Sequence, residues 1–255
     1  MIQKVIQMSY PNPLGGRTAL VTGASAGIGK AICEAFLASG ATVIAVALQP
    51  LEIGHERLHS HAVDLSNPLQ TSAFADLIKT EYAIDILVNN AGVVRNTFLE
   101  DIDESEFDHL VNLHMRSALL LMKATASGMK ERSFGRVINM SSRAVVGLAG
   151  RTVYAATKSA LISMTRTWAL ELGPYGITVN CIAPGPVVTD MLTADIPDGS
   201  EKALKLAQSI PVRRLGRAND IARAALYFAD PQNDWVTGQT LFVCGGASLS
   251  ASLAL

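Results

Sequence analysis

Residues 18 to 29 read TALVTGASAGIG. A short β-rich run ends on a glycine turn, and the turn passes directly into AGIGKAICEAFLASG, whose apolar residues recur at helical spacing and whose Gly40 suits a C′ position. A glycine-rich turn between a strand and a helix lets backbone N–H groups approach a pyrophosphate, and it points the positive helix terminus at the same spot. This unit restricts the fold strongly, because a strand feeding a helix in this way opens a βαβ crossover.

The rest of the chain repeats the alternation. ATVIAVAL, SHAVDL, IDILVNNAG, GRVINMSS, GITVNCIAPG and QTLFVCGG read as further strands, separated by helical segments. The runs are continuously apolar, as expected for a parallel sheet covered on both faces. The expectation is an α/β, Rossmann-type doubly wound parallel sheet in one domain over residues 17–255, preceded by a Pro- and Gly-containing leader over residues 1–16. LEIGHERLHSH is too short for the usual helix after the second strand. Residues 189–214 are longer than an ordinary crossover and read as a flexible lid.

With 255 residues, a net charge of −1 and 49% hydrophobic residues, the chain can bury a large core and shows no basic bias. That argues against nucleic acid as a partner and against electrostatic attachment to membranes. No run approaches the ~20 apolar residues of a membrane helix. Cys33, Cys181 and Cys244 are far apart and have no metal-ligand spacing, so free thiols in a cytoplasmic protein without a metal site are expected.

Three motifs in order, TGxxxGIG at 22–29, NNAG at 89–92 and YAATK at 154–158, resemble the short-chain dehydrogenase/reductase family. PGPVVTDM at 184–191 and VTGQTLFVCGG near the end extend the resemblance to nearly the whole chain. It implies that Gly23, Ser25, Ile28 and Gly29 surround the pyrophosphate and ribose of a nicotinamide dinucleotide, and that Asp64 and Leu65 meet its adenine. Asn90, Ala91 and Gly92 would pass beside the adenosine ribose. Val187 and Thr189 would hold the nicotinamide amide, and Pro184, Gly185, Tyr154 and Lys158 would also contact the cofactor. Where an NAD enzyme usually places a carboxylate after the second strand, this chain has Ala47 and Leu48; Ala26 and Leu48 likewise leave no basic group for a 2′-phosphate. An unpaired phosphate dianion is the costlier mismatch, so NAD is expected, with NADP as the alternative and Arg57 or His55 as the cations able to reverse the preference.

Tyr154 and Lys158 are four apart and share one helix face. A fixed ammonium favours the phenolate and is expected to bring the tyrosine toward neutrality, where general acid–base chemistry operates. By the resemblance, Ser142 (rather than the adjacent Ser141) orients a substrate carbonyl, Tyr154 exchanges the proton, and Lys158 grips the nicotinamide ribose. The implied reaction is hydride transfer between the nicotinamide and a small-molecule secondary alcohol or ketone. A 3-oxoacyl reductase using NADP, or a silent nucleotide-binding subunit, are the alternatives. Arg143 and Arg151, between the serine and the tyrosine, read as solvated loop charges, with pairing to an acid or a coenzyme A phosphate as the alternative.

The family also places an asparagine from the preceding helix in the site, seven after an aromatic residue and nine before a basic one. Phe107 and Lys123 both count to His114, while Asn112 lies about 200° around the helix from it. His114 is therefore expected in the fourth catalytic position, neutral beside Lys158 and holding a water, with Asn112 structural; the alternative is a shifted register with Asn112 in the site and His114 packed away. Apolar surplus on 107–130 and 154–172 fits the family's four-helix seam in a homotetramer.

Overall fold

A computed structural model describes residues 12–249. Seven parallel strands form one sheet in the order β3-β2-β1-β4-β5-β6-β9. They are β1 (Thr18–Thr22), β2 (Thr42–Ala47), β3 (Leu58–Ala62), β4 (Ile86–Asn89), β5 (Gly135–Met140), β6 (Ile177–Pro184) and β9 (Thr240–Val243). Two short strands, β7 (Val187–Val188) and β8 (Gly216–Arg217), pair separately. Helices α1 (Gly27–Ala38) and α8 (Ala218–Ala229) cover one face of the sheet; α2 (Pro68–Glu81), α4 (Ser117–Glu131) and α5 (Thr152–Leu172) cover the other. The chain thus has the Rossmann-like doubly wound fold. Its strand order reverses between β1 and β4, and in open α/β sheets the crevice at that reversal is where ligands bind.

Burial explains the strand composition. β1, β4, β5 and β6 are almost wholly buried, and their apolar side chains point into two separate clusters above and below the sheet. β3, at the edge, is half exposed, which explains its polar LHSHA sequence. The β2–β3 connection contains no helix: Leu51 is buried there and, with the partly buried Ile53, plugs the α1-side cluster in its place. Asn67 caps α2 by accepting from the N–H groups of Leu69 and Gln70, with Pro68 at the first helical position.

Of the expected leader, residues 1–11 lie outside the described residues. Leu14 is fully buried and its N–H donates to the Ser39 carbonyl at 2.9 Å, so packing starts ahead of the boundary drawn at residue 17. The segment expected as a lid holds two helices, α6 (Asp190–Thr193) and α7 (Glu201–Ser209). Ile196, Ala203, Leu206 and Ile210 give it an apolar cluster of its own with Cys244 and Ala247. The helix expected over 107–130 is continuous but not uniform. Between α3 (Glu104–Val111) and α4, residues Asn112–Arg116 form a π-helical turn. Insertions of this kind occur often at functional sites.

Candidate active site

The carboxyl ends of β1, β4, β5 and β6 open into one cavity of about 480 Å³. The glycine turn after β1 forms its floor. Gly23 and Gly27 have φ of +64° and +53°, the left-handed region that glycine adopts without strain. Gly29 is required for a different reason: a Cβ there would lie 2.0 Å from the Gly23 carbonyl oxygen. A backbone this bare, at the start of α1, can cradle a pyrophosphate. Thr22 ties it to the next strand, its Oγ1 accepting from the N–H groups of Asn90 and Ala91 at 2.9 and 2.8 Å. Asn90 completes the tie by donating from Nδ2 to the Thr22 carbonyl.

The sequence-predicted cofactor residues come together around this cavity. Gly23, Ser25, Ile28 and Gly29 line it, as do Asp64 and Leu65. So do Asn90, Ala91 and Gly92, and on the far wall Pro184, Gly185, Val187 and Thr189. Thr189 also packs on the glycine turn, since a Cβ on Gly27 would meet its Cγ2 at 3.1 Å. The dinucleotide therefore fits the residues present. At the end of β2, Ala47 and Leu48 line the cavity, and neither Arg57 nor His55 does. Arg57 is held elsewhere: its Nη2 donates to the Leu37 carbonyl and its Nη1 lies 3.9 Å from Glu56. Among the described residues, no group of three or more His, Cys, Asp or Glu side chains gathers where it could hold a metal.

Ser142, Tyr154 and Lys158 line the same cavity. The two serines after β5 divide their duties. Ser141 Oγ donates to the Lys158 carbonyl at 2.8 Å and pins the strand end to α5, while Ser142 accepts from the Ala144 N–H and lies beside the Tyr154 phenol. Lys158 is buried, its Nζ donates to the Met140 carbonyl at 2.9 Å, and burial lowers its pKa to about 8. The expectation that the ammonium governs Tyr154 needs correction. Burial pushes the Tyr154 hydroxyl up, and the groups that oppose this are Ser142 and the Arg151 charge. The Lys158 Nζ sits 5.9 Å from the phenol ring centroid.

His114 is buried against α5 and does not line the cavity. Its ring stands edge-on to Tyr154, with centroids 5.7 Å apart. Nε2 accepts from the Val93 N–H at 3.2 Å, which leaves the proton on Nδ1. Nδ1 then donates to Thr157 Oγ1 at 2.8 Å, and Thr157 donates to the Tyr154 carbonyl at 2.9 Å. Burial and, secondarily, the Lys158 charge lower its pKa to about 2, so the ring is neutral as expected. The expected water is not possible on this ring, because both nitrogens already have protein partners. The π turn supplies what a sequence count misses: it underwinds the helix locally, and Ser117 Oγ takes up the Leu113 carbonyl. Thr22 and Thr157 lie inside the TGxxxGIG and YAATK motifs, but the sequence assigned neither a role, since a threonine before a glycine turn or inside a helix is commonplace.

The family model described as "Enoyl-(Acyl carrier protein) reductase" matches residues 23–248. The chain is 37% identical over 246 residues to a (2S)-[(R)-hydroxy(phenyl)methyl]succinyl-CoA dehydrogenase subunit of Thauera aromatica, covering 92% of this chain and 98% of that protein. It is 38% identical over 243 residues to the 3-oxoacyl-[acyl-carrier-protein] reductase of Vibrio cholerae, covering 91% and 98%. A solved structure of a short chain dehydrogenase/reductase family protein superimposes with a TM-score of 0.83 at 34% identity, covering 93% of this chain and all of that one. A dinucleotide cradle at a switch point, with a tyrosine and lysine one helical turn apart, defines a nicotinamide-dependent oxidoreductase. This chain belongs to the short-chain dehydrogenase/reductase family and is an NAD(P)-dependent oxidoreductase.

Proposed function

We propose that this enzyme interconverts a small-molecule secondary alcohol and its ketone, with NAD as the preferred cofactor and Tyr154 as the general acid and base. The observation that carries the reading is convergence: Ser142, Tyr154 and Lys158 share one cavity with the glycine cradle. Bound cofactor supplies or accepts the hydride at the substrate carbon. In the reducing direction, Ser142 donates a hydrogen bond to the substrate carbonyl oxygen and Tyr154 transfers its hydroxyl proton to that oxygen as the carbon is reduced. In the oxidising direction the Tyr154 oxygen takes the alcohol proton. The Arg151 charge favours the developing phenolate, and Lys158, buried with a pKa near 8, provides a donor for the cofactor ribose. His114 serves as a positioning residue: through Thr157 it anchors the backbone carbonyl of Tyr154.

The preference for NAD rests on the wall at Ala47 and Leu48, which offers no cation to a 2′-phosphate. A second reading, an NADP-dependent 3-oxoacyl reductase, draws on the similarity to the Vibrio cholerae enzyme. A screen of secondary alcohols and ketones, run with NAD and NADP side by side and including a 3-oxoacyl thioester, separates the two. The proposal expects NAD to be favoured at least tenfold in kcat/KM; an equal preference for NADP would sink it.

Exposed Leu119 on α4 and Leu170 on α5 support assembly into a homotetramer through these helices, and light scattering at micromolar concentration tests it. Among the described residues no helix is long and apolar enough to cross a membrane. A cytoplasmic location is part of the same proposal.

A further inference from the structure

Arg143 was expected to be a solvated loop charge, but most of its side chain is buried. It follows Ser142 in the short 3-10 turn Arg143–Val146, lines the active-site cavity, and is only 8% exposed. Among the described residues its side chain makes no hydrogen bond and no ion pair. Arg136 shows how this chain treats a structural buried guanidinium. Its Nη1 donates to the Gly135 carbonyl, its Nη2 donates to the Pro231 carbonyl, and its charge lies 4.5 Å from the centre of the Phe134 ring. Arg151, the other arginine of the cavity, donates to the Arg95 carbonyl and has Asp195 nearby to offset its charge. Arg143 has neither form of compensation. Burial lowers its pKa, and the ionisable neighbour it feels is the Cys244 thiol rather than a carboxylate.

A guanidinium that faces a cavity with no protein partner has only water to solvate it there, and a ligand that displaces that water must supply an anion in its place. We propose that Arg143 is a specificity-determining residue that binds a carboxylate carried by the substrate, so that the alcohol or ketone turned over is a hydroxy acid or an oxo acid. The inference rests on the oxidoreductase reading above and names its substrate class. One guanidinium fork matches one carboxylate through two parallel N–H···O bonds, and the adjacent Ser142 would hold the carbinol oxygen of the same molecule. A phosphate dianion is a poorer match, because the second arginine is already offset by Asp195. The rest of the substrate meets apolar side chains, including Leu148, Met191, Leu192 and Ile196.

The test compares 2-, 3- and 4-hydroxy acids with their methyl esters, using wild type, Arg143→Gln and Arg143→Lys. For the best acid, wild type is expected to prefer acid over ester by about 100-fold or more in kcat/KM, the scale on which a buried charged partner discriminates. The ratio falls to within about tenfold in Arg143→Gln and lies between in Arg143→Lys. Turnover of neutral alcohols or esters as fast as acids by wild type would overturn the carboxylate assignment while leaving the oxidoreductase intact. So would an unchanged ratio in Arg143→Gln. No reduction of NAD or NADP by any acid, ester or neutral alcohol, with cofactor still bound, would instead overturn the reading on which it rests. A wild-type ratio near one overturns the assignment even if the variants fail to fold.

Discussion

The neutral, doubly bonded His114 makes the stability of this enzyme depend on pH in a way one substitution should remove. In the unfolded chain the imidazole titrates near 6.5; in the folded protein it titrates near 2. Below pH 6.5 the unfolded state therefore binds a proton that the folded state refuses. The stability held above 6.5 is lost progressively as pH falls, at about 1.4 kcal/mol per pH unit from this group. Between pH 7 and 4.5 the loss amounts to roughly 3 kcal/mol, since only the two units below 6.5 contribute. His114→Asn does not titrate, and its amide oxygen can still accept from the Val93 N–H. Urea unfolding of both proteins at the two pH values measures the difference. Every other residue is the same in both proteins, so its contribution cancels in the difference. Wild type is expected to lose about 3 kcal/mol more than the variant on acidification. Parallel losses in the two proteins would refute a buried neutral imidazole at this position.

Gly29→Ala is expected to abolish cofactor binding and to cost several kcal/mol of stability, because the added Cβ would overlap the Gly23 carbonyl oxygen; calorimetric titration with NADH and a thermal melt check both. Lys158 has its folded pKa depressed from 10.5 to about 8, so burying the ammonium destabilises the fold at neutral pH and the penalty fades as pH rises through 8 toward 10.5. Lys158→Met should accordingly lose turnover yet be more stable than wild type at pH 7 by about 3 kcal/mol, with the gap closed near pH 10.5; equal stability at both pH values would contradict the burial.

What the sequence made legible was whatever depends on local pattern. The glycine spacing at 23–29, the Tyr154–Lys158 interval and the continuous apolar strands each follow from a neighbourhood of a few residues, and they place the fold and the cavity walls. The Phe107–Lys123 count found His114 because both markers lie on the same continuous helix. Its role was not legible. Both its partners come from other elements: Val93 from the segment after β4, and Thr157 from α5. The π turn that orients it leaves no trace in a 3.6-residue period. Arg143 was misread for a related reason. A charged residue in a loop is exposed by default, and only the tertiary packing around Ser142 turns this one inward. Tyr154 shows the same limit in electrostatics, since spacing reveals the neighbouring lysine but not the burial that outweighs it.

The central claim is that Tyr154 moves the proton while hydride passes between substrate carbon and nicotinamide. The direct measurement uses the best alcohol from the screen, deuterated at its carbinol carbon, with oxidised cofactor, wild type and Tyr154→Phe, followed by mass spectrometry of the reduced cofactor. Wild type is expected to place one deuterium per turnover on the nicotinamide. Tyr154→Phe should bind cofactor with unchanged affinity and transfer deuterium at least about a thousandfold more slowly. Transfer at the wild-type rate by Tyr154→Phe, or reduced cofactor free of deuterium in wild type, would contradict the account.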